Sequence, residues 1–102
     1  MEINVTRKQE GAKLTLFVEG KLGVSSAPTL KNELVDLSGI KELVMDLEKV
    51  SYVASAGFRV FIEAYRKMED NNGTFRIVNV TPENMEVFRY TGLADVMDVS
   101  QA

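Results

Sequence analysis

Three features of the chain predict a mixed α/β fold, a sheet that opens with a β-hairpin and carries helices packed on it. The first residues alternate apolar and polar with a period of two, Glu42-Leu43-Val44-Met45-Asp46-Leu47 is apolar on consecutive positions, and beyond Ala54 the period becomes helical. Strands that alternate with helices after a hairpin form a sheet that is largely parallel in its second half. The 102 residues, 45% hydrophobic, are enough to fill one ordinary core, so residues 1–102 are read as a single domain.

Ile3 and Val5 open the first strand, Glu10-Gly11 turns the chain, and Leu14, Leu16 and Val18 carry the second strand up to Gly20. Ser25 or Ser26 before Ala27-Pro28 supplies an N-cap with Pro in the first helical turn. Ala27, Leu30, Leu34 and Leu37 then form one stripe of a first helix, closed by Ser38-Gly39. The strand at residues 42–47 has apolar residues facing both ways, which places it at the sheet centre, covered on both faces. Asp46 is expected to end it, near the loop before Ser55.

From Ser55 or Ala56 to about Asn71, Val60, Phe61, Ala64 and Met68 face one way and Arg59, Glu63, Arg66 and Asp70 the other. Glu63 and Lys67 add an i,i+4 ion pair. Asn72-Gly73 turns into a strand with Phe75, Ile77, Val78 and Val80. Thr81-Pro82 caps a short helix carrying Met85 and Phe88 that stops at Gly92, and residues 96–99 form a last strand. The predicted order is ββαβαβαβ.

Charge and composition exclude several function classes. Twelve Lys or Arg against fifteen Asp or Glu give a net charge of −3, the wrong sign for a surface that must displace phosphate counterions. Neither nucleic acid nor direct membrane binding is expected. The chain has no Cys and no His, which removes disulfides, thiolate nucleophiles, Cys/His zinc sites and Ser-His-Asp chemistry. Apolar runs are no longer than the one at residues 16–18, and Met1-Glu2-Ile3-Asn4 lacks the regions of a signal peptide, so a soluble cytoplasmic protein is expected. Asp46 with Glu48, and Asp95 with Asp98, match no metal-binding pattern; no metal and no other cofactor is expected.

One site is marked by the sequence, the junction Val50-Ser51-Tyr52-Val53-Ala54-Ser55-Ala56-Gly57-Phe58 between the central strand and the longest helix. Ser55 lies at or beside the helix N-cap. Its hydroxyl either caps the helix, with Ala56 and Gly57 keeping the turn small, or is a phosphorylation site where unpaired N–H groups already favour an anion. On the helical wheel Phe58 and Ile62 fall within about 60° of Ser55 and off the core stripe. That apolar flank serves either to dock a partner or to pack on a neighbouring helix. Catalysis is not expected. A nucleophile elbow needs Gly where Val53 stands, no His is present to take the proton, and the spacing of Lys41, Lys49 and Lys67 singles out none of them.

The run Leu43-Val44-Met45-Asp46-Leu47, then Val50-Ser51-Tyr52-Val53, then Ser55-Ala56-Gly57-Phe58, resembles the signature of STAS domains, specifically the bacterial anti-sigma factor antagonists. Weaker matches are Gly20-Lys21-Leu22, the Thr91-Gly92-Leu93 turn within residues 89–93, and residues 95–99. The resemblance implies a non-enzymatic partner switch: the antagonist binds an anti-sigma factor that is also a serine kinase, and binding frees a sigma factor. It places the phosphoacceptor at Ser55, and together with the helical-wheel flank of Phe58 and Ile62 it puts the partner surface at Gly23, Ala54, Ser55, Ala56, Gly57, Phe58 and Ile62. At two positions the chain departs from the family pattern, with Ala54 where an Asp usually precedes the serine and Gly23 where an Asp usually follows Gly-x-Leu. The rival readings are a STAS scaffold module of another signalling or transporter assembly, and a small-molecule or lipid binding domain using a pocket beside the same helix.

Overall fold

The computed structural model describes residues 3–102; Met1 and Glu2, part of the N-terminal stretch read above, lie outside the described residues. Strand β1 (Asn4–Glu10) pairs antiparallel with β2 (Lys13–Leu22), and the chain then passes through α1 (Ala27–Lys31) and a 3₁₀ turn (Asn32–Leu34) into β3 (Glu42–Val53). Helix α2 (Ser55–Asp70), β4 (Thr74–Val80), α3 (Pro82–Thr91), α4 (Leu93–Val96) and β5 (Asp98–Gln101) follow. The sheet has five strands in the order β1-β2-β3-β4-β5, parallel from β2 onward. The hairpin, the mixed sheet and the central place of residues 43–47 are as expected.

Every parallel crossover advances one strand in the same direction, and right-handed crossovers then set the helices on one face. Leu16, Met45 and Ile77, in register across β2, β3 and β4, point to that face and are fully buried. Expected cover on both faces of β3 is replaced by cover on one. Val44 is buried on the helix-free face, between its register partners Thr15 and Arg76.

Two further elements differ from expectation. The first helix is shorter than its apolar stripe: Leu34 and Leu37 remain buried, yet regular helix ends at Lys31. Lys67 of α2 and Asn71 just past its end reach the carbonyls of this segment, Lys67 Nζ donating to Leu34 O at 2.9 Å and Asn71 Nδ2 to Leu37 O at 3.3 Å. The last strand begins at Asp98, because Gly92 ends α3 in the left-handed region (φ 81°) and the chain makes the short α4 first. Val96 is consequently exposed while Met97 is buried.

Strand β3 also runs well past Asp46, to Val53. Asp46 therefore does not end it. Its carboxylate instead accepts from Asn79 Nδ2 at 2.8 Å and from the Glu48 amide at 3.0 Å, tying β3 to an irregular stretch of β4 where Asn79 has φ 57°.

Candidate functional site

The candidate site lies where β2 and β3 end and α1 and α2 begin, the edge at which parallel α/β sheets place their ligands. At this edge Leu22 O accepts from the Ala54 amide at 2.8 Å, so the β2–α1 loop and the start of α2 are fixed to each other. Gly57 lets them close. It is buried, and a Cβ on it would stand 2.8 Å from Leu22 Cδ2 and from Val53 Cγ1.

Ser55 is exposed and is the first residue of α2. The capping alternative is excluded by position, since Ala54 (φ −91°, ψ 174°) holds the N-cap and has no side chain that accepts a hydrogen bond. Ala54 O accepts from Gly57 N at 2.9 Å and Phe58 N at 3.2 Å. The Ser55 and Ala56 amides precede that first turn, so the positive end of the helix is open beside the Ser55 hydroxyl. Arg59 follows one turn later, exposed and in no ion pair among the described residues.

The structure brings Gly23, Ala54, Ser55 and Ala56 together at the surface and removes Gly57 and Phe58 from it. Phe58, expected off the core stripe, is a core residue, only 8% exposed. Its ring meets Phe88 edge-on at 5.0 Å and Phe61 at 5.8 Å. The reason is α3, whose Phe88 packs on the flank of α2 that a helical wheel alone leaves open. Ile62 is half-buried against the core and borders a depression whose other residues are charged, Arg59, Glu63, Arg66, Lys67 and Asp70.

Sequence reasoning missed the two apolar residues that this edge exposes most. Val24 is 80% exposed and Tyr52 58%. Both had a signal: each is an apolar side chain adjoining a residue already singled out or within the marked junction. Val24 begins a shallow groove between α1 and α2, about 220 Å³, floored by Ala27, Pro28, Ala56 and Val60 with Arg59 at its rim. Of Ser25 and Ser26, the two residues expected as N-cap, Ser26 occupies the cap position without making the cap bond and directs its hydroxyl into the β2–α1 loop instead. Among the described residues no cluster of acidic side chains is gathered for a metal ion, and no helix is long and apolar enough to cross a membrane.

Comparison with known proteins places this geometry. The family model for the STAS domain matches residues 4–102. The anti-sigma-B factor antagonist of Bacillus subtilis is 33% identical over 101 residues, 98% of this chain and 93% of that protein, and the Staphylococcus aureus protein of the same name is 27% identical over 103 residues, 99% and 95%. Among solved structures, a putative anti-sigma factor antagonist from Thermotoga maritima superposes with a TM-score of 0.88 at 17% identity, covering 96% of this chain and 86% of that one. The Bacillus cell fate determinant SpoIIAA in its phosphorylated form gives 0.75 at 16%, covering 94% and 90%. A full-length family match, a curated relative above 30% identity and a shared sheet-and-helix order agree, and the chain belongs to the STAS domain family.

Proposed function

We propose that this domain is an anti-sigma factor antagonist that binds an anti-sigma factor of the serine-kinase type, releases a sigma factor by doing so, and is switched by phosphate on Ser55. The observation that carries the proposal is the exposed Ser55 at the uncapped start of α2, on the edge that also exposes Val24 and Tyr52. The names of the curated relatives support the partner class, and a relative of the same fold has been solved in a phosphorylated form. The cytoplasm is the compartment where such a regulator acts.

The physics of the switch follows from that placement. A phosphate adds close to two negative charges to a surface that docks through apolar groups, so binding would require desolvating those charges. The fold itself tolerates the modification, because the open helix N-terminus favours an anion there. Phosphorylation then acts on the complex and leaves the domain folded. Partner contacts in this reading come from Gly23, Val24, Tyr52, Ala54, Ser55 and Ala56, while Gly57 and Phe58 support them from below.

Phosphate incorporation by the cognate kinase on the wild type and on Ser55→Ala tests the proposal. Labelling of the wild type alone supports it, together with a Ser55→Ala variant that binds the kinase and resists ATP-dependent release. Equal labelling of both places the phosphate on another residue. No labelling with binding intact makes the domain a partner without a phosphoswitch.

A further inference from the structure

Ser26 is 1% exposed, yet it belongs to the loop that carries two of the most exposed positions of the site edge, Val24 and Ser25. A buried hydroxyl in a surface loop must be paired, and this one is paired twice. Ser26 Oγ donates to Lys21 O at 2.7 Å and accepts from the Gly23 amide at 2.9 Å. These bonds close the chain on both sides of Leu22. The next links run to α2: Gly23 O accepts from Ala27 N at 2.8 Å, Leu22 O accepts from Ala54 N at 2.8 Å, and Ala54 O accepts from Gly57 and Phe58. One serine hydroxyl thus stands at the head of a hydrogen-bonded series that ends in the first turn of the helix bearing Ser55.

We infer that Ser26 is the positioning residue of the partner surface: its buried hydroxyl holds Gly23 and Val24 in the shape presented beside Ser55. The inference rests on the partner-binding reading above. Ser26 makes no contact with the partner itself, since its side chain is closed off from solvent. It acts through the loop. In Ser26→Ala the Gly23 amide loses its acceptor and Lys21 O its donor, and solvent reaches both only if the loop opens. The helix cap does not suffer, because the Ser26 side chain makes no cap bond.

Two measurements on Ser26→Ala and Ser26→Thr test this. Amide hydrogen exchange of the free protein should show the Gly23 amide exchanging about tenfold faster in Ser26→Ala, with Met45 and Leu47 in the sheet centre unchanged, and recovery in Ser26→Thr, which keeps the hydroxyl. Titration against the purified anti-sigma factor of the same organism should show affinity about tenfold weaker for Ser26→Ala and restored for Ser26→Thr. Unchanged Gly23 exchange in Ser26→Ala overturns the inference at its structural step. Faster exchange with undiminished affinity overturns it at the functional step and leaves the partner reading standing. A wild type that does not bind the anti-sigma factor overturns both, and the wild-type titration identifies that case.

Discussion

Gly57 and Leu22 are packed so closely that the first has no room for a side chain: a Cβ at position 57 would lie 2.8 Å from both Cγ and Cδ2 of Leu22. Val53 Cγ1 closes the other side at the same distance. Helix α2 therefore rests with its backbone on the last residues of β2 and β3, and that seat brings Ser55 level with the β2–α1 loop. Gly57→Ala should destabilise the domain by about 1–3 kcal/mol, since overpacking a core contact outweighs the better helix propensity of Ala. Urea denaturation checks the sign; a stabilised variant would show that Leu22 yields easily.

Ala54 is in the extended conformation that an N-cap requires and lacks only the acceptor. Ala54→Asp should stabilise the domain by about 1 kcal/mol through a hydrogen bond to the first turn of α2. It also places an acid next to Ser55, and under the proposed switch the cognate kinase should then phosphorylate Ser55 faster. Thermal melting and a phosphorylation time course separate the two effects.

Phe58→Asp should unfold the domain, because it buries a carboxylate among Phe61 and Phe88 and empties a ring-sized space, a loss of about 3–5 kcal/mol before the charge is counted. Binding assays on that variant would report unfolding. Val24→Asp is the informative substitution: Val24 is solvent-exposed, so the circular dichroism spectrum should match wild type while affinity for the anti-sigma factor drops at least about tenfold.

Asp36 holds a local turn after the 3₁₀ segment, its carboxylate accepting from the Ser38 amide at 3.0 Å. Hydrogen bonding by the Ser38 side chain, and then by its backbone, lowers the Asp36 pKa below its ordinary value of 3.8. A depressed folded pKa means the stabilisation is present above the unfolded value and is lost as pH falls through the folded one. An NMR titration should give a midpoint below 3.8 for Asp36, moving back toward it in Ser38→Ala. Full exposure keeps the effect on stability small.

Patterns confined to one element were legible in the sequence. Leu43, Val44 and Met45 in succession announced the central strand, and the change of period at Ala54 fixed the start of α2 to within one residue. What lay between elements was not. Whether Phe58 faced solvent depended on which side of α2 the third helix takes, and nothing in residues 55–70 encodes that. The segment past the early end of α1 is held by Lys67 and Asn71, more than thirty residues away, reaching the Leu34 and Leu37 carbonyls. At the site, Ser55 was marked by its junction, whereas Ser26 looked like an ordinary cap until its hydroxyl could be followed to Lys21 and Gly23.

The strand order has a bearing on synthesis. Since β1 to β5 lie side by side in the order in which they are translated, each strand after the first has a neighbour synthesised before it. No strand must be inserted between two that are paired. The growing sheet has one advancing border, and each crossover carries its helix in the stretch of chain between the two strands it joins. The contacts that seat α2 on Leu22 and Val53 are made by residues up to Gly57, whereas the cover over Phe58 comes from Phe88, in an element translated later.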